Sequence, residues 1–358
     1  MFVFTITEVT TFLTHHPTWR GLIEAAAIMM VLWFVWSGYV WLGNVAGTDE
    51  GVMRVALLVA VGPMLIAGAA VPHVFGKDAL VFGLAFFAVH AIHLAAFTII
   101  SRGNPVLRAV VGRLAWPILG AGALLVLAGV LSGTGRALCW LAVIAIEYVG
   151  LFLGGTEGWR VEPAHFSERH RLIVIIALGE SIVAIGVGAS ALGLEAGVVV
   201  GALLGAAVAG ALWWAYFDVV SAVAERVLRT AAPAARARIA RDSYTYLHLP
   251  MVAGIVVFAF GVKTTLTHVH AHLSGVAAAA LFGGVALYLV ALSALRRRNI
   301  GGFNHQRLVA AALLVTLAPV ATVLPALVSL ALVAGIACGL IAYEVVRYAE
   351  ARRRIRHA

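Results

Sequence analysis

Long apolar segments separated by short polar connections dominate the hydrophobic pattern of the chain. Cutting at charges, Gly/Pro clusters and polar runs gives twelve segments, the first of which, Met1 to about Leu13, is short. Each of the others is long enough for a helix to cross a hydrocarbon layer of about 30 Å. They lie near 22–44, 54–72, 79–100, 106–131, 137–155, 170–191, 196–221, 244–266, 273–295, 305–323 and 326–347. This pattern predicts an all-α integral membrane protein with about twelve transmembrane helices.

The composition supports that prediction. Hydrophobic residues make up 63% of the 358 residues and charged residues 11%, which excludes an ordinary soluble domain. A net charge of +9 could attract nucleic acid, but the basic residues lie between the apolar segments, where orientation signals occur. We therefore expect the lipid bilayer as the partner, and no nucleic acid.

The distribution of basic residues predicts the orientation. If there are twelve spans, both termini lie on one side of the membrane together with the even-numbered connections. Of the 25 Lys and Arg residues, only Arg20, Lys77, Arg136 and Lys263 fall on the other side. By the positive-inside rule, both termini and the Arg-rich connections are cytoplasmic.

The two halves of the chain share a pattern. Arg54 precedes the Pro-Met pair at Pro63 by nine residues, and Arg241 precedes the Pro-Met pair at Pro250 by nine. An even number of helices per half inserts both halves the same way up, which predicts two parallel six-helix repeats. Chance similarity among Ala/Leu/Val-rich helices is the alternative. The predicted domains are a first repeat over 1–155, a charged cytoplasmic linker over 156–169, a second repeat over 170–347 and a basic cytoplasmic tail over 348–358.

Three stretches resemble the low temperature requirement protein A family of bacterial membrane proteins. They are ERHRLIVIIALGESI at 168–182, LWWAYFD at 212–218 and RDSYTYLHLPMVAG at 241–254. The resemblance covers nearly the whole chain and implies a multi-pass protein of the bacterial inner membrane. It brings no settled biochemical activity. Family members have an acidic and aromatic segment before the first helix, so the first helix here is expected to be short or truncated.

Acidic and histidine side chains inside apolar segments predict a site in the second half. A carboxylate within a membrane span is costly and is usually functional, which singles out Glu180. Counted from the charged boundaries, Asp218 and His248 lie at a similar depth on the next two helices. The first half has Gly38 and Val61 at their registers. We predict an ion-coupling site with Glu180 as the proton carrier; a cluster that only holds three helices together is the alternative.

Further candidates lie at the start of the seventh segment and in the first half. His165, Glu168 and Arg169 combine acid and base there; they predict a gate, with an interfacial anchor as the alternative. The resemblance favours Glu168 and Arg169. The secondary ion-coupling candidates are Glu8, His90, His93 and Glu147. His90 and His93 share a helix face, but no third ligand stands at a recognisable spacing, so no metal site is predicted.

The sixth and twelfth segments carry acids at corresponding positions, Glu147 and Glu344. The repeat predicts that these acids form a second pair across its axis. An i, i+3 pair of Glu344 with Arg347 is the alternative, whereas Glu147 has no such neighbour in sequence.

These features favour transport or ion translocation. The sequence contains no phosphate-binding loop, dinucleotide fingerprint or nucleophile elbow, which disfavours an enzyme. The predicted function is proton-linked movement of an unidentified small solute or of protons, without catalytic residues or a cofactor. One alternative is a membrane-embedded enzyme acting on lipid through His248 and an acid. The other is a structural or regulatory membrane protein. A homo-oligomer is compatible with all three.

The predicted orientation can be tested with fusions to green fluorescent protein, which fluoresces only when it folds in the cytoplasm. A fusion after the C-terminal residue should fluoresce. A fusion after His270, in a connection predicted to face outward, should be dark at matched expression. The reverse result would invert the topology.

Overall fold

The fold is all helical in the computed structural model, which describes residues 2–45, 50–153, 155–193 and 195–350. No strand occurs among these residues. The first six helices are α1 Phe2–His15, α2 Trp19–Val45, α3 Glu50–Ala70, α4 Ala79–Ile100, α5 Pro105–Val130 and α6 Gly133–Leu153. The others are α7 Pro163–Leu192, α8 Ala196–Phe217, α9 Val220–Thr230, α10 Pro233–Ile239, α11 His248–Thr267, α12 Gly275–Ile300, α13 His305–Leu317 and α14 Ala326–Arg347.

Eleven helical segments in the described residues are long and apolar enough to cross a membrane. They coincide with the eleven full-length spans predicted from sequence, and the short first span corresponds to the 14-residue α1. The prediction of a multi-pass, all-α membrane protein is therefore confirmed.

Two differences from the predicted segments affect the candidate site. Helix α7 begins at Pro163, so the end of the predicted linker 156–169 is helical; proline is well suited to the first turn of a helix because it needs no N–H partner there. The predicted segment 196–221 is interrupted. Helix α8 ends at Phe217, and α9 begins at Val220 after a break at Asp218 and Val219.

The chain divides into two compact units. Unit 1 contains Met1–His16, Arg20–Phe166 and Ala232–Arg238. Unit 2 contains Pro17–Trp19, Ser167–Ala231 and Ile239–Ala358.

In unit 1, helices α3 to α6 pack in chain order, each against the next. Arg136, one of the four basic residues predicted to face outward, has a structural role at this end of the unit. Its guanidinium donates to the carbonyls of Ala128 and Leu131 at the end of α5, and to that of Phe75. It therefore satisfies carbonyls that the helix end leaves without intrahelical donors.

Helices α11 and α12 form the centre of unit 2, and α12 also contacts α8, α9, α13 and α14. Glycines let their backbones meet. A Cβ added to Gly254 would lie 2.6 Å from the carbonyl oxygen of Gly284, and one added to Gly284 would lie 2.6 Å from the Gly254 oxygen. Further along, a Cβ on Gly261 would lie 2.6 Å from the Leu281 Cα. Small residues of this kind allow close helix packing in lipid.

We expect Gly284→Ala to destabilise the protein by about 1–3 kcal/mol or more, because backbone atoms cannot yield to the added methyl group. Gly283→Ala is the matched control, since nothing lies within 4 Å of its added Cβ. Thermal unfolding in detergent should show a lower midpoint for the first variant and an unchanged or slightly higher one for the second. Equal midpoints would contradict the close approach.

Candidate functional site

A π-helical turn precedes α11 and shapes the most polar part of the unit 2 interior. The turn spans Ala240–Tyr246, and the Leu247 N–H donates to the carbonyl of Asp242 five residues back. The sequence places Pro250, which has no N–H, just after this turn. Turns of this type are rare and frequently occur at functional sites.

His248, the first residue of α11, is completely buried and has a partner at each ring nitrogen. Its Nδ1 lies 2.9 Å from the carbonyl oxygen of Ser243, and its Nε2 lies 2.8 Å from the hydroxyl oxygen of Tyr216. A carbonyl only accepts, so Nδ1 carries the proton. In the neutral ring Nε2 then accepts from the Tyr216 hydroxyl. Reversal of that hydroxyl would let Nε2 hold a second proton.

Aromatic rings surround His248. Tyr244 stacks on it with the ring planes 9° apart and the centroids 5.1 Å apart, while His170 meets it edge-on at 5.2 Å. Tyr216 lies at 89° to the ring. We call His170, Tyr216, Tyr244 and His248 the His248 cluster. It joins α7, α8, the π turn and α11.

A cavity of about 300 Å³ lies at the break between α8 and α9. Asp218 is on its wall, two residues after Tyr216 of the His248 cluster. Exposed Arg296, Phe303 and His305 also contribute, so the cavity reaches the surface. Its other polar lining residues are Asn299, Asn304, Gln306, Arg307, Glu344 and Tyr348. We call it the Asp218 cavity.

An ion pair forms one side of the Asp218 cavity. Arg307 of α13 donates from Nε and Nη2 to the two carboxylate oxygens of Glu344, at 2.9 and 2.8 Å, and Asn304 donates to the same carboxylate. Arg307, and not Arg347, is therefore the ion-pair partner of Glu344 among the described residues. Arg307 offers a two-pronged contact across two helices, while the Arg347 guanidinium lies over the Tyr348 ring.

The three residues of the predicted coupling site are all in unit 2. Glu180 is buried on α7, Asp218 is half-buried in the cavity wall, and His248 is fully buried. The side-chain hydrogen bonds of His248 go to Tyr216 and Ser243, so it is not bonded directly to either acid. Coupling among the three stays a prediction.

The predicted gate residues differ in exposure. Glu168 and Arg169 are exposed on the first turns of α7, and His165 is half-buried. An ion pair at this end of α7 joins Arg171 to Glu225 of α9 at 3.3 Å. The pair bridges two helices of unit 2, and sequence reasoning did not identify Glu225.

The secondary candidates lie in unit 1. Glu8 is half-buried on α1. His90 and His93 of α4 and Glu147 of α6 are buried, with His90 Nε2 and Glu147 Oε1 3.7 Å apart. Within the described residues, no group of three or more His, Cys, Asp or Glu is arranged to hold a metal ion.

Comparison with known proteins identifies the family. The sequence model of the bacterial low temperature requirement A protein, LtrA, matches residues 1–342. The chain belongs to the LtrA family. An uncharacterized protein of Rhizobium meliloti (strain 1021) is 27% identical to this LtrA chain over 310 residues, which is 83% of this chain and 75% of the relative. No solved structure matches it.

Sequence reasoning missed the aromatic partners of His248 in this LtrA protein. Tyr244 precedes His248 by four residues, a spacing that puts both side chains on one helix face, so this partner carried a local signal. Tyr216 had no such signal. It is 32 residues away in the chain, and only the packing of α8 on α11 brings it to the ring.

We expect Tyr216→Phe to lower the free energy of unfolding by about 1–3 kcal/mol, because buried Nε2 of His248 loses its donor. Tyr343→Phe, at a side chain 48% exposed, is the matched control and should leave stability unchanged. Thermal unfolding in the same detergent measures both. A Tyr216→Phe midpoint equal to that of the control would argue against the Tyr216–His248 bond.

Proposed function

We propose that this LtrA protein is a proton-linked transporter of a small polar solute, and that the Asp218 cavity is its solute site. The observation that carries the proposal is the Asp218 cavity itself: about 300 Å³ of space with acidic, basic and amide side chains on its wall. That volume is at the lower end of the range for small-molecule sites. Polar groups at membrane helices commonly mark substrate or ion pathways.

The location of the cavity supports access from one side of the membrane. Its lining comes from the end of α8, the end of α12 and the start of α13, close to Arg296 and Arg307. These are Arg-rich connections, which the charge asymmetry assigns to the cytoplasm. In this proposal the cavity faces the cytoplasm, in a bacterial inner membrane with both termini on the same side.

A single stretch of α8 supports coupling between solute and proton. Trp214, Ala215 and Asp218 face the cavity, while Tyr216 between them contacts His248. A solute that binds Asp218 and displaces the end of α8 would therefore also displace the Tyr216 hydroxyl, which is hydrogen-bonded to His248. Glu180, buried on α7, serves as the proton carrier of the pathway. Glu168, Arg169 and His165 serve as its gate at the start of α7.

Two parallel six-helix repeats are part of the proposal. Their support is a pair of corresponding acids, each facing a basic or titratable group on another helix of its own unit. Glu147 of α6 faces His90 of α4, and Glu344 of α14 pairs with Arg307 of α13.

One observation favours a second candidate, a structural protein without transport. Both ring nitrogens of His248 are satisfied within a buried aromatic cluster, which is what a group that only holds helices together requires. The two candidates differ in what they need from the Asp218 cavity, which has no role in a purely structural protein.

Proton flux into proteoliposomes under an imposed pH gradient tests the proposal. Wild type should conduct protons, Glu180→Gln should not, and Asp218→Asn should be reduced. Exposed Glu350→Gln is the control and should match wild type at equal insertion and stability. If wild type shows no flux above protein-free liposomes, the proton linkage is rejected.

Access to the cavity can be tested without a known solute. In a Cys338→Ser background, an impermeant thiol reagent should label Asp218→Cys from the cytoplasmic side of inverted vesicles. Val208→Cys, on the same helix but completely buried, should remain unlabelled. Equal protection of both cysteines would contradict an open cavity and favour the structural candidate.

A further inference from the structure

Unit 1 contains a buried acid and base that the transport proposal does not use. Glu147 of α6 is completely buried, and neither of its carboxylate oxygens has a hydrogen-bond partner among the described residues. The nearest basic atom is Nε2 of His90 on α4, 3.7 Å from Oε1. His90 is also buried. Buried polar groups without a hydrogen-bond partner are uncommon in folded proteins, so the position of this carboxyl group calls for an explanation.

The backbone fixes the tautomer of His90. Its Nδ1 lies 3.1 Å from the carbonyl oxygen of Phe86, which can only accept, so Nδ1 carries a proton. In the neutral ring Nε2 is then a bare acceptor, and it faces Glu147. A protonated Glu147 could donate to it after closing less than about 1 Å, given the usual length of such bonds.

An ionised Glu147 beside a neutral His90 would leave a bare charge in an apolar interior. The free-energy cost of burying an unpaired charge is large compared with the stability of a folded protein, so such groups become neutral instead. Two arrangements avoid that cost, the neutral acid beside neutral imidazole, and carboxylate beside imidazolium. They differ only in whether the proton is bonded to Oε1 or to Nε2. Both contain one proton between the two groups, and the apolar interior favours the neutral arrangement, in which Oε1 holds the proton.

The neighbouring titratable groups already have partners. His93 on α4 meets the Gly38 carbonyl through Nε2 at 3.1 Å, and Tyr39 on α2 donates to the Val89 carbonyl at 3.0 Å. Tyr148, next to Glu147 on α6, donates to the Met30 carbonyl. These bonds position the three side chains. Glu147 and His90 are therefore the two neighbouring groups between which a proton can be shared.

A cavity of about 50 Å³ adjoins His90, the basic member of the pair, and is large enough for water. Both histidines line it, together with Ser37 and Tyr39. The lining extends to Trp159, in the connection that carries Arg160 and is predicted to be cytoplasmic. Water in this cavity would therefore contact the His90 ring.

We propose that His90 and Glu147 form a buried proton-binding site that holds one shared proton and exchanges it with water in the adjoining cavity. The site lies wholly within unit 1 and does not depend on transport through unit 2. In the transfer the O–H bond of Glu147 breaks while an N–H bond forms at Nε2 of His90. Water in the cavity that takes the Nε2 proton returns one to the pair, so the pair keeps one proton throughout.

Infrared spectroscopy of the purified protein tests the site, because a protonated carboxyl group has a C=O band of its own that shifts in heavy water. At neutral pH wild type should show such a band, and Glu147→Gln should lose it. Glu344→Gln is the matched control and should retain the band, since Glu344 pairs with Arg307 and lies in unit 2. His90→Phe should move the band to higher frequency, because the carboxyl group loses its acceptor.

The outcomes separate this proposal from the transport proposal. A band that is absent in wild type, or that persists unchanged in Glu147→Gln, would overturn the shared-proton site whatever the flux measurements show. A band that fails to shift in heavy water would overturn exchange through the cavity. If Glu147→Gln does not fold, His90→Phe decides: an unmoved band would contradict the pair. Loss of flux in Glu180→Gln bears on unit 2 alone.

Discussion

The close approach of α11 and α12 is the constraint on which the rest of unit 2 depends. In lipid there is no hydrophobic driving force for helix association, so helices associate through van der Waals packing and hydrogen bonds. Gly254, Gly261 and Gly284 remove the side chains that would keep the backbones apart. The packed pair then holds Tyr288, whose hydroxyl donates to the Leu212 carbonyl of α8 at 2.9 Å. Through that bond the central pair also positions the helix that carries Tyr216 and Asp218.

The buried histidines of the two units, His90 and His248, differ in the hydrogen bonding of Nε2. In both, a backbone carbonyl fixes the proton on Nδ1 and leaves Nε2 as the acceptor. Nε2 of His248 accepts a hydrogen bond from the Tyr216 hydroxyl at 2.8 Å, so both ring nitrogens have a partner. Nε2 of His90 faces a carboxyl group at 3.7 Å, which leaves both groups incomplete. A satisfied group stabilises one structure, whereas an incomplete acid and base can share and exchange a proton.

The break between α8 and α9 lies beside a polar cavity. Asp218, at the break, is on the wall of this cavity of about 300 Å³, which residues of α13 and α14 also line. There the Arg307–Glu344 pair uses two hydrogen bonds to connect those two helices. The cavity therefore combines an acidic side chain at the break with an ion pair that joins two of its lining helices.

The sequence by itself determined the membrane class and the approximate positions of eleven long apolar spans. Length and apolar composition are local properties, and a helix in lipid must satisfy its own backbone, so each span can be identified without its neighbours. The same reasoning identified the chemically unusual residues, including Glu180, Asp218, His248 and Glu147. It also singled out Pro250, beside which the π turn lies.

Only the tertiary structure decided which of those residues meet. Three contacts join residues of different helices that are distant in the chain. They are the Tyr216–His248 bond, the Arg307–Glu344 pair and the approach of His90 to Glu147. Depth in the membrane can be counted along a chain, but the direction in which a side chain points depends on helix rotation and packing. Those are set by contacts such as the glycine seam of α11 and α12, which involve residues distant in sequence.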